Sequence, residues 1–162
     1  PFLRLQLSEN VRHRTQNSLQ HISSPELTCA VHVRRGDYLR PQNNCVHGVV
    51  DWQYYSHAMT KIEELHNPIN FIIFSDDYEW TKAHFKSPNC TVVQPNKSNP
   101  AWDLYIMSLC DHFIIANSTF SWWAAIINEK KTKTVIYPRN WFKNTKLNAQ
   151  VANLPRPKWL SV

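Results

Sequence analysis

Apolar runs of strand length alternate with longer segments of helical period along nearly the whole chain, and this alternation restricts the fold more than any other feature. LTCAVHVR, residues 27–34, is rich in β-branched residues and too short for a helix, so it reads as a buried strand. Asp51 then caps DWQYYSHAMTKIEEL, in which Tyr54, Ala58, Ile62 and Leu65 share one helical face, and Asn67-Pro68 stops it. NFIIFS reads as a second strand, DDYEWTKAHF as a short helix opened by acids, and TVVQ as a third strand. Asn99 as cap, with Pro100 at the first helical position, starts AWDLYIMSLC, which leads to the strand HFIIA, the turn NST and the helix FSWWAAIIN. KTVIYP is the last expected strand, and a helix capped by Ser8 and running to about Ile22 opens the chain. Near-continuous apolar strands separated by helices build a mostly parallel sheet covered on both faces, so the expected fold is a Rossmann-like α/β domain.

The 162 residues suit one compact domain, residues 1–162, able to bury a core without disulfide or metal staples. Only Gly36 and Gly48 are glycines, too few and too far apart for a glycine-rich dinucleotide fingerprint or a Walker loop, so any phosphate site must be built another way. The formal charge of +6 favours an anionic partner, but Lys and Arg are scattered rather than gathered into a stripe. Cys29, Cys45, Cys90 and Cys110 form no dense disulfide framework and read as thiols. Cys45-x-His47 and Cys110-x-His112 lack the spacing of a zinc site, and no metal is expected. No run of about 18 apolar residues occurs, and the opening PFLRLQLSENVRHR lacks the apolar core of a secretion signal, so the chain as given reads as soluble.

Ligands of open parallel sheets bind at the carboxyl ends of the strands, and three such positions carry unusual residues. The first is His32-Val33-Arg34-Arg35-Gly36-Asp37-Tyr38, where strand alternation sends His32 and Arg34 to one face. Adjacent arginines at a strand end call for an anion or a carboxylate, and a planar guanidinium matches a phosphate with two donors. An Arg–Asp37 pair that merely closes the turn is the plainer alternative. The second is Asp76-Asp77, where a carboxylate accepts from a ribose hydroxyl or charges the start of the next helix. The third is Asn117-Ser118-Thr119-Phe120-Ser121, between a buried strand and an apolar helix, whose free N–H groups and hydroxyls could grip a diphosphate without glycines. Ser118 also suits a simple helix cap. Trp122 and Trp123, inside the apolar helix, read as core packing rather than sugar stacking. No Asp-x-Asp metal clamp occurs anywhere, so arginine and helix dipole would replace a divalent cation.

The strings HVRRGDY, FSDDYEW, DLYIMSLCDHFIIANSTFSWWAAIIN and PRNWF together resemble the α-1,2-fucosyltransferases, over roughly residues 27–142 and in the same order. The HxRRxD element is also similar to that of α-1,6- and protein O-fucosyltransferases. The resemblance implies inverting transfer of L-fucose from GDP-β-L-fucose to a galactose 2-hydroxyl of a glycan, on a GT-B-type fold and without metal or other cofactor. By motif position it implies that Arg34 contacts the β-phosphate of the leaving GDP, with Arg35 supporting it, and that His32 and Asp103 face the guanine. It further implies that Ser118 or Ser121 binds phosphate beside Thr119, with Asp37 a weak candidate for the general base; Asp76 is expected to contact the nucleotide from its position after a strand.

The chain begins just before the first motif, so it is expected to be the nucleotide-binding half of a two-domain enzyme without the amino-terminal acceptor half. A truncated domain that binds GDP-sugar without transferring it is the alternative. Asn89-Cys-Thr, Asn96-Lys-Ser and Asn117-Ser-Thr are formal glycosylation acceptors, yet a glycan on Asn117 would block the phosphate turn. That favours a bacterial cytoplasm, with the inner membrane face or a luminal Golgi membrane as alternatives and any anchor outside the residues given. Two rivals from other classes are a basic nucleic-acid-binding domain, which calls for clustered cations, and a carbohydrate-binding module, which calls for exposed aromatic rings.

Overall fold

The structure, a computed structural model, describes residues 26–96 and 98–162; the expected helix from Ser8 to Ile22 lies outside the described residues. Among these residues six strands form one sheet: β1 (Leu27–Val33), β2 (Ile69–Ser75), β3 (Cys90–Val92), β4 (His112–Ile114), β5 (Val135–Tyr137) and β6 (Leu160–Ser161). Their order is β3-β2-β1-β4-β5-β6 and every neighbouring pair is parallel. The chain therefore builds outward from β1 in one direction, then crosses over and builds outward in the other. This is the doubly wound Rossmann order, and the expected α/β class is the one observed.

Among the described residues six helices connect the strands: α1 (Pro41–Asn44), α2 (Trp52–His66), α3 (Tyr78–His84), α4 (Pro100–Leu109), α5 (Thr119–Ile127) and α6 (Thr145–Gln150). A single turn of 3-10 helix at Gly36–Leu39 precedes α1. Strand alternation sorts the core onto the two faces of the sheet. Cys29, Val31, Val33, Phe71 and Ile73 pack against Tyr54, Tyr55, Ala58 and Ile62 of α2. Ala30, Ile72, Phe74, Phe113 and Ile115 pack against Ile106 and Met107 of α4 and Ala124 and Ala125 of α5. His32 and Arg34 continue the even-numbered series of β1, which places them on the α4 and α5 side.

Local chemistry fixes the helix starts. Asp51 accepts from the Tyr54 N–H at 2.9 Å, Asp77 from Trp80 N–H at 3.2 Å, and Ser118 from Phe120 N–H at 3.3 Å. Asn99 differs from its expected role: its side chain makes no cap bond. Asn96 Oδ1 instead accepts from the N–H groups of Ser98 and Asn99, and Pro100 at the first helical position needs no donor partner. The sheet also extends past the expected last strand. β6 adds to β5 through Ile136↔Leu160 and Tyr137↔Ser161, a pairing too short to leave an apolar run in the sequence. No helix among the described residues is long and apolar enough to cross a membrane.

At the amino end of β4, His112 is held neutral. Its Nδ1 accepts from the Thr134 N–H at 3.0 Å, and its ring stacks on His66 at 3.7 Å. Burial first, then the adjacent His66 imidazole and the Lys130 charge, bring its pKa down from 6.5 to about 4 against the opposing pull of Asp111. A histidine neutral in the fold but free to protonate when unfolded contributes stability that is complete above pH 6.5 and is lost as pH falls toward 4. The melting temperature is accordingly expected to be flat above neutrality and to fall between pH 6.5 and 4, with a shallower fall in His112→Gln, measured by circular dichroism across that range.

Candidate functional site

The order of the sheet reverses between β1 and β4, and a crevice forms there because the crossovers leave in opposite directions. A cavity of about 460 Å³ opens at this point, at the carboxyl ends of β1, β2 and β4. Its walls bring together His32 from the end of β1 and Arg34 just after it, Asp76 after β2, Asp103 from α4, and Ser118 and Thr119 at the start of α5. Four stretches far apart in sequence thus meet in one space.

Arg34 is held from two sides. Its Nη2 lies 2.5 Å from Asp37 Oδ1 and its Nη1 2.9 Å from Asp76 Oδ2. Asp76 Oδ1 also accepts from the Arg35 backbone N–H at 2.9 Å, so one carboxylate ties the end of β2 to the turn after β1. Gly36 is required by that tie. A Cβ at position 36 would sit 2.4 Å from Asp76 Oδ2, and the carboxylate has no freedom to withdraw while it holds both Arg34 and the Arg35 N–H. The pair with Asp37 closes the turn, as the plainer reading of the arginines had it. The guanidinium's other N–H groups remain to meet a ligand, now with their plane fixed.

Arg35 points elsewhere. Its Nε lies 2.9 Å from Asp77 Oδ2 and its guanidinium 4.3 Å over the Trp80 ring, so it braces α3 and does not line the cavity. The two roles weighed for the Asp76-Asp77 pair divide between them: Asp77 caps α3 and anchors Arg35, while Asp76 lines the cavity.

Where His32 and Asp103 line the cavity two polar atoms are buried without partners, Nδ1 of His32 and Oδ1 of Asp103. Burial first, and the Arg34 charge second, bring the His32 pKa from 6.5 to about 3, so its imidazole is neutral. Burial also raises the Asp103 carboxyl above its ordinary value, partly countered by the Asn96 N–H, which donates to Oδ2 at 3.4 Å. Buried polar atoms without partners are costly in a finished fold, so these two leave hydrogen bonds that a ligand could supply. Phe120, 5.5 Å from the His32 ring, and Phe74 give the cavity an apolar wall.

The turn before α5 is braced from below. Asn117 is buried, and its Nδ2 donates to the carbonyls of His47, Gly48 and Trp141 at 3.0–3.2 Å. Ser118 spends its hydroxyl on the Phe120 N–H but still lines the cavity, and Thr119 stands exposed at its mouth. Ser121 is placed differently from its expected phosphate role. It is fully buried and its Oγ donates to the Ser118 carbonyl at 3.2 Å, because it lies on the same helix face as Ala124 and Ala125. Trp123 also departs from the core reading, with 51% of its surface exposed; Trp122 is half-buried and its Nε1 donates to the Leu154 carbonyl at 2.7 Å. Sequence reasoning missed Tyr38, Pro95, Asn96 and Pro100 as lining residues. Tyr38 stood within the first motif and could have been found there, whereas the loop at residues 95–96 carries no pattern that marks it.

The chain also resembles known proteins. Over 118 residues the chain is 42% identical to the O-antigen biosynthesis glycosyltransferase WbnK of Escherichia coli, covering 71% of this chain and 39% of that protein. It is 33% identical to an alpha-1,2-colitosyltransferase of E. coli (74% and 43% covered) and 33% identical to galactoside 2-alpha-L-fucosyltransferase SEC1 of Bos taurus (75% and 35% covered). The chain thus spans about two-fifths of the length of these curated relatives. Among solved structures, fucosyltransferase NodZ from Bradyrhizobium matches with a TM-score of 0.54 at 17% identity, covering 75% of this chain and 42% of that one, a likeness of fold. The family model for glycosyl transferase family 11 matches residues 2–162, and the chain belongs to that family.

Proposed function

We propose that the cavity at the sheet's switch point binds GDP-β-L-fucose and that the protein containing this chain transfers L-fucose, with inversion and without a metal ion, to a galactose 2-hydroxyl of a glycan. The observation that carries the reading is the meeting of two unlike sets of groups in one cavity: a fixed guanidinium beside a helix start, and two unpartnered polar atoms with aromatic neighbours. The names of the relatives point the same way, since they include fucosyl- and colitosyltransferases, and a NodZ alpha-1,6-fucosyltransferase of similar fold has been soaked with GDP-fucose.

Guanine suits the unpartnered atoms. Its N1–H and exocyclic amine are adjacent donors that match the two oxygens of one carboxylate, and its ring nitrogen or carbonyl meets a neutral imidazole at His32. Uracil offers a single N–H between two carbonyls, which a carboxylate repels. The diphosphate then lies over Arg34 and the first turn of α5, where the N–H groups and positive helix end favour an anion. In the transfer step the acceptor hydroxyl oxygen attacks the anomeric carbon and releases its proton to solvent or to a base outside this cavity, as the bond to the β-phosphate oxygen breaks and negative charge grows on that oxygen. Arg34 and the helix start meet that charge, so they stabilise the transition state more than the ground state. Asp37, committed to Arg34, positions the guanidinium in this account rather than removing the acceptor's proton.

The carboxylates of Asp37 and Asp76 offset much of the Arg34 charge, so the site is a weak trap for a bare anion, and affinity depends on the base. Replacing Asp103 by Asn presents an N–H to the guanine donors in place of one acceptor. It is expected to weaken GDP binding by about 1–3 kcal/mol, the worth of a two-point base contact, with an unchanged melting temperature. Calorimetric titration checks this, and unaltered GDP affinity in Asp103→Asn would contradict the guanine assignment. Arg34→Ala is expected to lower transfer from GDP-fucose to a galactose-terminated acceptor on the order of 100-fold or more, read by product formation over time. A variant retaining most of its rate would remove Arg34 from the reaction.

A further inference from the structure

A second cavity, of about 440 Å³, opens beside the first, and nothing above uses it. The two share a wall. Tyr38, which lines the nucleotide cavity, stacks on His47 at 4.6 Å between ring centroids and donates its hydroxyl to the Asn117 carbonyl at 3.3 Å. His47 and Asn117 both line the second cavity. The Arg34 guanidinium lies 5.2 Å from the Tyr38 ring, so a phosphate on Arg34 is separated from this space by one side chain.

The chemistry of its lining selects an occupant. Asn117 is only 2% exposed; three carbonyls surround its Nδ2, which fixes the orientation of the amide, and its Oδ1 is left buried with no donor. Nδ1 of His47 is likewise buried and unpartnered. Asp51 adds a carboxylate to the lining, while Val50, Phe142 and Val162 supply an apolar wall. Arg139 and Lys143, exposed in the lining, would admit an anion, but Lys143 Nζ is engaged by Asn44 Oδ1 at 2.7 Å, and acceptors at Asn117 and Asp51 repel an anion and call for O–H donors. A group with hydroxyls along one edge and C–H bonds along another fits this division, and a pyranose ring is such a group.

We infer that this second cavity is the subsite for the hexosyl group of the nucleotide sugar, with Asn117 and His47 receiving its hydroxyls. The inference rests on the first cavity holding the nucleoside diphosphate. A hexose bonded to the β-phosphate passes Tyr38 and enters the second space, where the unpartnered atoms gain their hydrogen bonds. His47 and Asn117 then distinguish sugars by hydroxyl position, as the first cavity distinguishes bases.

The test separates the two cavities. Thr145 is exposed on the rim of the second cavity, so Thr145→Trp fills that space from the solvent side, and His47→Phe keeps the ring stack on Tyr38 while removing the nitrogen. Wild type and both variants are titrated with GDP and with GDP-β-L-fucose. The wild type is expected to bind the sugar nucleotide more tightly, by about fivefold for each net hydrogen bond gained. Thr145→Trp is expected to erase that advantage at unchanged GDP affinity, and His47→Phe to reduce it. Equal wild-type affinities, an advantage that survives both variants, or a Thr145→Trp protein that loses GDP as well would each overturn the assignment. A wild type that fails to bind GDP overturns the nucleotide reading instead, so the two failures are distinguishable.

Discussion

One carboxylate holds the site together. Asp76 receives the Arg34 guanidinium and the Arg35 N–H at once, which crosslinks the ends of β1 and β2 at the edge where ligands of such sheets bind. Gly36 exists in that geometry because any side chain there would displace the carboxylate. The pair is partly exposed, and an ion pair of that kind adds little stability by itself. Its value is positional: it fixes the plane of a guanidinium that would otherwise sample many rotamers, so less entropy would be lost on binding the phosphate proposed for it.

The remainder of the site depends on the crossover between the two halves of the sheet. Because β4 lies beside β1 with its helix on the opposite side from α2, the start of α5 faces the Arg34 turn, and α4 carries Asp103 over the same crevice. Asn117 secures the underside by gathering three carbonyls from two loops. Its amide is unavailable to solvent in the fold, which suits a bracing and ligand-facing role.

Much of this was legible in the sequence, for physical reasons. Buried parallel strands are apolar on both faces, so β1, β2 and β4 stand out as runs, and strand alternation placed His32 and Arg34 on one side. What failed was the direction of side chains that depend on neighbours. Arg35 turned to Trp80 and Asp77 because it points to the opposite face from Arg34, a consequence of the same alternation. Ser121 turned inward with Ala124 and Ala125, a three- and four-residue relation present in the sequence but outweighed by its nearness to the phosphate turn. β6 and the loop at residues 95–96 had no signal, because two-residue strands and irregular loops take their structure from tertiary contacts.

The central claim is that one metal-free cavity reads both guanine and a β-phosphate. It is tested most directly by calorimetric titration of the chain with GDP, GMP and UDP in the presence of EDTA. The account predicts tight binding of GDP, weaker binding of GMP, which lacks the β-phosphate that Arg34 meets, and weak binding of UDP, which lacks the paired donors for Asp103. Equal affinity for GDP and UDP, or no binding of GDP by the folded chain, would contradict it.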